Sequence, residues 1–219
     1  MLLYRTTVIL LSLTLLLSAC SRQPETHNQR LLVFGTLIDI SIFDVDKKTA
    51  DLAFKAIEDD IQSMHIFWHP WKPGPLARTN LLCETTNTFS AATSVIPLVK
   101  EAQRLAILSG HLFNPAVGKL IKLWGFQQDE FDMNTPPDPA AIQALVKANP
   151  KMSDISINGV RFTCSNPMVR IDLGAIAKGY ALEKIFANIE TNYPVKNLVI
   201  NAGGDLKALG KHGDRPWRV

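Results

Sequence analysis

The spacing of apolar positions changes several times along the chain, and each change marks an element. Ile38, Ile40 and Ile42 alternate with Asp39 and Ser41, the two-residue period of a half-buried strand. Leu31 to Phe43 therefore reads as a strand interrupted at Gly35-Thr36. From Lys47 to Ile66 the period lengthens. Ala50, Ala53, Ile57, Ile61 and Met64 recur every three or four residues while Glu58, Asp59 and Asp60 face out, which predicts an amphipathic helix. A second helix is predicted from Ser94 to Ser109, with Ser94 as N-cap, Pro97 in the first turn and Gly110 as the stop. Val117 to Trp124 reads as helix again, with Val117, Leu120, Ile121 and Trp124 on one side. Gln127 to Pro139 is a polar, proline-bearing loop that reads as solvated, and Ala140 to Lys147 a short surface helix. Asn158-Gly159 between alternating apolar residues from Ile155 to Phe162 predicts a two-residue hairpin. Leu198-Val199-Ile200 is a buried-looking strand, Leu206 to Leu209 continues as one, and Arg215 to Val219 starts another.

Two segments break these patterns and carry the candidate chemistry. Val169 to Tyr180 begins as a short apolar strand, breaks at Asp172 and Gly174, and resumes as a helix through Ala177, Ala181 and Ile185. A strand that turns through glycine into a helix offers free backbone N–H groups suited to a phosphate. Asp172 at the mouth and Lys178 about one turn in add a carboxylate and a cation, a set that suggests a nucleotide and a divalent metal. The same joint can be purely structural, since glycine at a turn needs only φ freedom. Phe67 to Asn80 holds Pro70, Pro73, Pro75 and Gly74, which argue against regular structure, yet it is rich in aromatic residues. It is either a wall for a flat ligand or a loop folded over the core. His65 and His69 are four apart, but Pro70 makes a shared helical face doubtful. Asn201-Ala202-Gly203-Gly204-Asp205 fits a backbone approached closely by a ligand, or equally a tight bend between two strands.

Composition narrows the class without naming a partner. A net charge of +3 over 219 residues, 20% of them charged, is ordinary for a globular protein and gives no argument for nucleic acid. The N-terminus is informative. Arg5, the apolar run from Val8 to Leu17 and Leu17-Ser18-Ala19-Cys20 make residues 1–19 a secretory signal of the bacterial lipoprotein type, with Cys20 as the lipidated residue. Residues 20–30 then read as a lipidated tether and 31–219 as one domain. Ser21 in the second position would permit outer-membrane delivery. Cys83 and Cys164 lack Cys or His neighbours at metal-ligand spacing, which argues against zinc. In an oxidising compartment they could pair, but nothing in the sequence shows that they approach each other, and both read as small core or half-buried residues.

Several segments in order resemble the ApbE family, the FAD:protein FMN transferases once called thiamine biosynthesis lipoproteins. They are the signal ending at Cys20, Phe34-Gly35-Thr36 where the family usually has Met-Gly-Thr, and the Trp71 loop with Leu76 to Asn80. Phe113 to Gly118, Leu123 to Phe126, Ile171 to Tyr180, Asn201 to Asp205 and Pro216 to Val219 follow. Their order over nearly the whole chain makes the match specific. The resemblance implies an α+β fold of mixed sheets with packed helices, incomplete at the C-terminus, that grips FAD with Mg2+ at the pyrophosphate. It implies transfer of FMN to a threonine hydroxyl of a target protein with release of AMP. The target would be a periplasm-facing subunit of a sodium-pumping or related redox complex, and the protein would be anchored by lipid in the cell envelope, at the inner membrane by family analogy. Carried over by motif, Phe34, Trp71, Leu112, Phe113, Asn114, Asp172 and Lys178 would contact FAD, and Ala175 would offer a backbone oxygen to the metal. The family's His-x-Ile-Asp-Pro-x-Thr-Gly segment, with the histidine implicated as base, would lie beyond residue 219, so the chain is expected to be truncated. No catalytic residue is assigned within it, since His65, His69, His111 and His212 match no family motif. An FAD-binding lipoprotein without transfer activity and an FAD pyrophosphatase are the alternatives.

Overall fold

The computed structural model describes residues 25–128 and 136–218. The signal segment, Cys20 and part of the Gln127–Pro139 loop lie outside the described residues. The fold is α+β, with two antiparallel sheets and helices packed around one core. The larger sheet has the order β1 (Thr26–Val33), β2 (Thr36–Phe43), β6 (Leu198–Ala202), β7 (Asp205–Leu209). Register places Ile38 opposite Ala202, Ile40 opposite Ile200 and Ile42 opposite Leu198, and all six are buried. The alternation read in β2 is therefore the core face of the sheet, where each fully buried isoleucine contributes about 1.5–3 kcal/mol. Helix α1 (Lys47–Trp68) and helix α6 (Gly174–Asn192) join that core. The Asp46 carboxylate caps α1 by accepting from the Thr49 N–H.

The smaller sheet has the order β3 (Thr88–Ser90), β5 (Arg161–Cys164), β4 (Ile155–Asn158). Helices α2 (Pro75–Thr85), α3 (Ile96–Leu108), α4 (Gly118–Leu123) and α5 (Pro139–Ala148) complete the chain. Helix α5 buries no residue, as a surface helix should.

The structure corrects several expectations. Residues 26–30, assigned above to the tether, pair with β2 as far as Thr26 opposite Phe43, so their polar sequence forms one half-covered edge strand. Helix α1 runs two residues past Ile66 because Trp68 is buried and its indole N–H donates to the Ser94 carbonyl. Ser94 is thereby outside the second helix, whose N-cap is Val95. Pro75 opens a helix instead of excluding one. At the first helical position it removes no intrahelical bond, and Leu76, Thr79, Asn80 and Cys83 bury a face at helical spacing.

The hairpin turn is Gly159-Val160, one residue later than Asn158-Gly159. Asn158 pairs with Arg161, and Gly159 at φ 60 supplies the positive first position of a type II′ turn. Residues 169–173 make only an isolated bridge, between Arg170 and Val117, and residues 216–218 form no strand. Cys83 and Cys164, whose pairing the sequence leaves open, are both buried and form a disulfide across 81 residues that ties α2 to β5. Gly203-Gly204 is the two-residue turn between β6 and β7, with φ 62 and 100.

Candidate functional site

The site is built where α6 begins. The extended segment before it is held on both sides. On one side Arg170 N–H donates to the Ala116 carbonyl, Gly118 N–H to the Arg170 carbonyl and Asp172 N–H to the Pro115 carbonyl. This approach needs glycine at 118, since a Cβ there would lie 2.5 Å from the Arg170 oxygen. On the other side no strand is present among the described residues. The side chain of Asn80 takes its place, accepting from Ile171 N–H at 2.7 Å and donating to the Ile171 carbonyl at 2.9 Å. Asn80 and Ile171 are both fully buried. The chain is thus fixed up to Asp172, whose Oδ1 accepts from Gly174 N–H at 3.0 Å and closes the first turn of α6.

A cleft of about 480 Å³ opens at this point, within the range of ligand sites. Its lining includes Phe34, His65, His69, Trp71, Asp172 and Ala177. Phe34 sits in the β1–β2 turn at φ 53, left-handed geometry that a bulky residue adopts at a cost of about 1–2 kcal/mol. That backbone outlier holds the ring edge-on to His65, 5.4 Å between centroids. His65 meets His69 at 5.3 Å and His69 meets Trp71 at 4.4 Å, so one aromatic row runs along the wall. The His69 Nδ1 accepts from the Lys72 N–H, which leaves the proton of the neutral ring on Nε2. Burial, and secondarily the charge of Lys72, hold the His65 pKa below its ordinary value. His65 is therefore neutral near pH 7.

The residues carried over by motif fall into three places. Phe34, Trp71 and Asp172 come together in the cleft. Ala175 is exposed on the first turn of α6, and Lys178, one turn on, makes an ion pair with Asp205 at 3.3 Å. Leu112, Phe113 and Asn114 are outside the cleft lining. Leu112 is 91% exposed, Phe113 packs on the core, and Asn114 lines a separate groove beside α5. Asn114 donates to the Pro150 carbonyl and accepts from Ala116 N–H, shaping the segment on which Asp172 rests. Sequence reasoning missed Asn80, Gln127 and Arg170 as parts of this architecture. Asn80 lay within a quoted motif, whereas Gln127 had only the signature of a polar loop. Among the described residues no group of three His, Cys, Asp or Glu side chains could hold a metal.

An α+β domain with an aromatic cleft where an extended segment enters a helix is the class these features define. Residues 34–219 match the ApbE family, and the chain belongs to it. A relative from Rhodobacter capsulatus named FAD:protein FMN transferase is 37% identical over 88% of this chain and 36% of its own length. The flavin transferase ApbE from Vibrio cholerae superposes with a TM-score of 0.76 at 23% identity, covering 90% of this chain and 63% of that one. Apo flavinyl transferase ApbE from Pseudomonas stutzeri gives a TM-score of 0.78 at 22% identity, covering 91% and 66%. The chain thus spans between about a third and two thirds of the length of these relatives.

Proposed function

We propose that this chain belongs to an enzyme that transfers FMN from FAD to a threonine hydroxyl of a target protein and releases AMP. The observation that carries the reading is the meeting of Phe34, Trp71 and Asp172 in one cleft at the start of α6. An isoalloxazine ring favours flat apolar walls, which Phe34 and Trp71 supply. The pyrophosphate favours the positive end of a helix, and Lys178 stands near that end. In the reaction a bond forms between the threonine oxygen and the FMN phosphorus while the phosphorus–oxygen bond to AMP breaks. The hydroxyl proton passes to a base. We assign no described residue to that role.

A carboxylate beside a pyrophosphate calls for a cation, which supports the expectation of Mg2+. The described residues fit it only in part. They offer the Ala175 carbonyl in the first turn of α6, and Mg2+ commonly completes its shell with substrate phosphates and water. When bound, the metal would neutralise charge on the phosphates as AMP leaves. Lipid anchoring through Cys20, a position facing the periplasm and a target in a sodium-pumping or related redox complex belong to the same proposal. No helix among the described residues is long and apolar enough to cross a membrane.

The test incubates the purified chain with FAD, Mg2+ and a threonine-bearing target domain, and reads the target by mass spectrometry. One added FMN, abolished by EDTA and by replacing the threonine, supports transfer. AMP and free FMN without an adduct would indicate FAD hydrolysis, and neither product would reject both activities for this chain and target.

A further inference from the structure

We propose that Gln127 is a positioning residue for the site: it orients the Asp172 carboxylate and ties it, through Arg170, to the loop that carries Trp71. The geometry stands on its own, and the ligand in the test rests on the flavin reading above. The Arg170 guanidinium can only donate. It gives Nε–H to Gln127 Oε1 at 3.2 Å, one Nη to Glu84 at 3.2 Å and the other to the Pro70 carbonyl at 3.3 Å. Pro70 immediately precedes Trp71, so the third bond pins the aromatic loop.

With the amide oxygen of Gln127 engaged by Arg170, its NH2 group faces the carboxylate, and Nε2 donates to Asp172 Oδ2 at 2.8 Å. The other oxygen of Asp172 already takes the Gly174 N–H. Donation therefore runs outward from Arg170 to Glu84 and to Gln127, and on from Gln127 to Asp172, which also takes the Gly174 N–H of α6. The Gln127 position thus needs a group that accepts on one side and donates on the other. A carboxylate there would satisfy Arg170 and repel Asp172, while an apolar side chain would satisfy neither. Gln127 is 8% exposed, which keeps water from substituting for it.

Two wall groups, the Asp172 acceptor and the Trp71 loop, are thus set by one side chain that touches neither substrate half in this account. A loop anchor of no further consequence would be preserved by any partner that holds Arg170. The variants Gln127→Glu and Gln127→Met separate these roles.

The experiment titrates FAD into the intact chain and each variant, following flavin fluorescence from pH 5.5 to 8.5, with thermal melts alongside. Gln127→Glu should melt above Gln127→Met, because it keeps the contact with Arg170, yet bind FAD about 10-fold or more weaker than wild type at pH 8. The deficit should narrow toward pH 5.5, because burial and the facing Asp172 carboxylate favour proton uptake by the introduced carboxyl, which can then donate again. Gln127→Met should be weakened by a similar factor without that recovery. The other charged or titratable groups around the network and cleft, Glu84, Lys119, Arg170, Asp172, His65, His69 and Lys72, are common to all three proteins and cancel in the ratios. Wild-type affinity in Gln127→Glu at pH 8, or a deficit independent of pH, would overturn the positioning role while leaving the flavin reading intact. No saturable FAD binding by wild type would overturn the flavin reading and the ligand assigned here together.

Discussion

Replacing Asn80 by leucine should destabilise the fold out of proportion to the change in size. The two side chains share the same branched skeleton, with leucine the bulkier, so no cavity is made. What changes is the environment of Ile171, whose N–H and carbonyl both pair with the Asn80 amide in a fully buried setting. Each buried backbone group left without a partner costs about 1–3 kcal/mol, giving about 2–6 kcal/mol for the pair. Set against a domain stability of about 5–15 kcal/mol, that is a large fraction. Urea unfolding under non-reducing conditions reads the loss as a lower midpoint at unchanged slope. The loss should also reach the site, since Asp172 follows Ile171 directly, so FAD affinity should fall at temperatures where the variant is still folded. Asn80→Asp keeps the acceptor for the Ile171 N–H but sets a carboxylate against the Ile171 carbonyl, and should not restore stability. A loss of less than about 1 kcal/mol in Asn80→Leu would refute the claim that Asn80 substitutes for a missing strand.

Reduction of the Cys83–Cys164 disulfide should cost about 2–4 kcal/mol, as expected for closing a long loop, and lower the melting temperature measurably. Thiol alkylation before and after reductant checks that both cysteines are oxidised. Gly203→Ala should destabilise by more than about 1 kcal/mol in urea, because φ is +62 and the new Cβ would lie 2.2 Å from Thr36 Oγ1. Gly179→Ala, inside α6 with open space around it, should stabilise by about 0.5–1 kcal/mol in the same assay. His65 favours its neutral form in the fold, so the unfolded chain binds its proton more readily. Its contribution is therefore complete above the ordinary histidine pKa near 6.5 and is lost as pH falls through the lower folded value. Urea midpoints should drop less between pH 7 and 5 in His65→Phe than in wild type.

Local periodicity carried much of the fold. The two-residue period of Ile38, Ile40 and Ile42 and the helical period of Ala50 to Met64 survive because each is a core face, and burial dominates there. The errors arise where tertiary partners override local signals. Pro75 was read as a breaker, yet it costs nothing at the first helical position and the following residues have a face to bury. Ser94 has the side chain of a cap, but its backbone belongs to Trp68. Gln127 illustrates the limit most clearly. Its polar surroundings read as a solvated loop, and its burial depends on Arg170 and Asp172, more than forty residues away in sequence. The pairing of Cys83 with Cys164 stays open in the sequence for the same reason. For the site, the joint at Asp172 was legible from strand, glycine and helix signals, and the Trp71 loop from misplaced aromatics. The hydrogen bonds that bring the two together were not, since donor and acceptor direction is fixed only once the chain is folded.

The measurement that bears most directly on the account is calorimetric titration of the intact chain and of Trp71→Ala with FAD and, separately, with ADP. If the cleft grips the flavin half, wild type should bind FAD more tightly than ADP. Loss of the Trp71 face should weaken FAD by about 10-fold and leave ADP nearly unchanged. Equal affinity of wild type for FAD and ADP, with no effect of Trp71→Ala on either, would contradict the assignment of this cleft to the flavin.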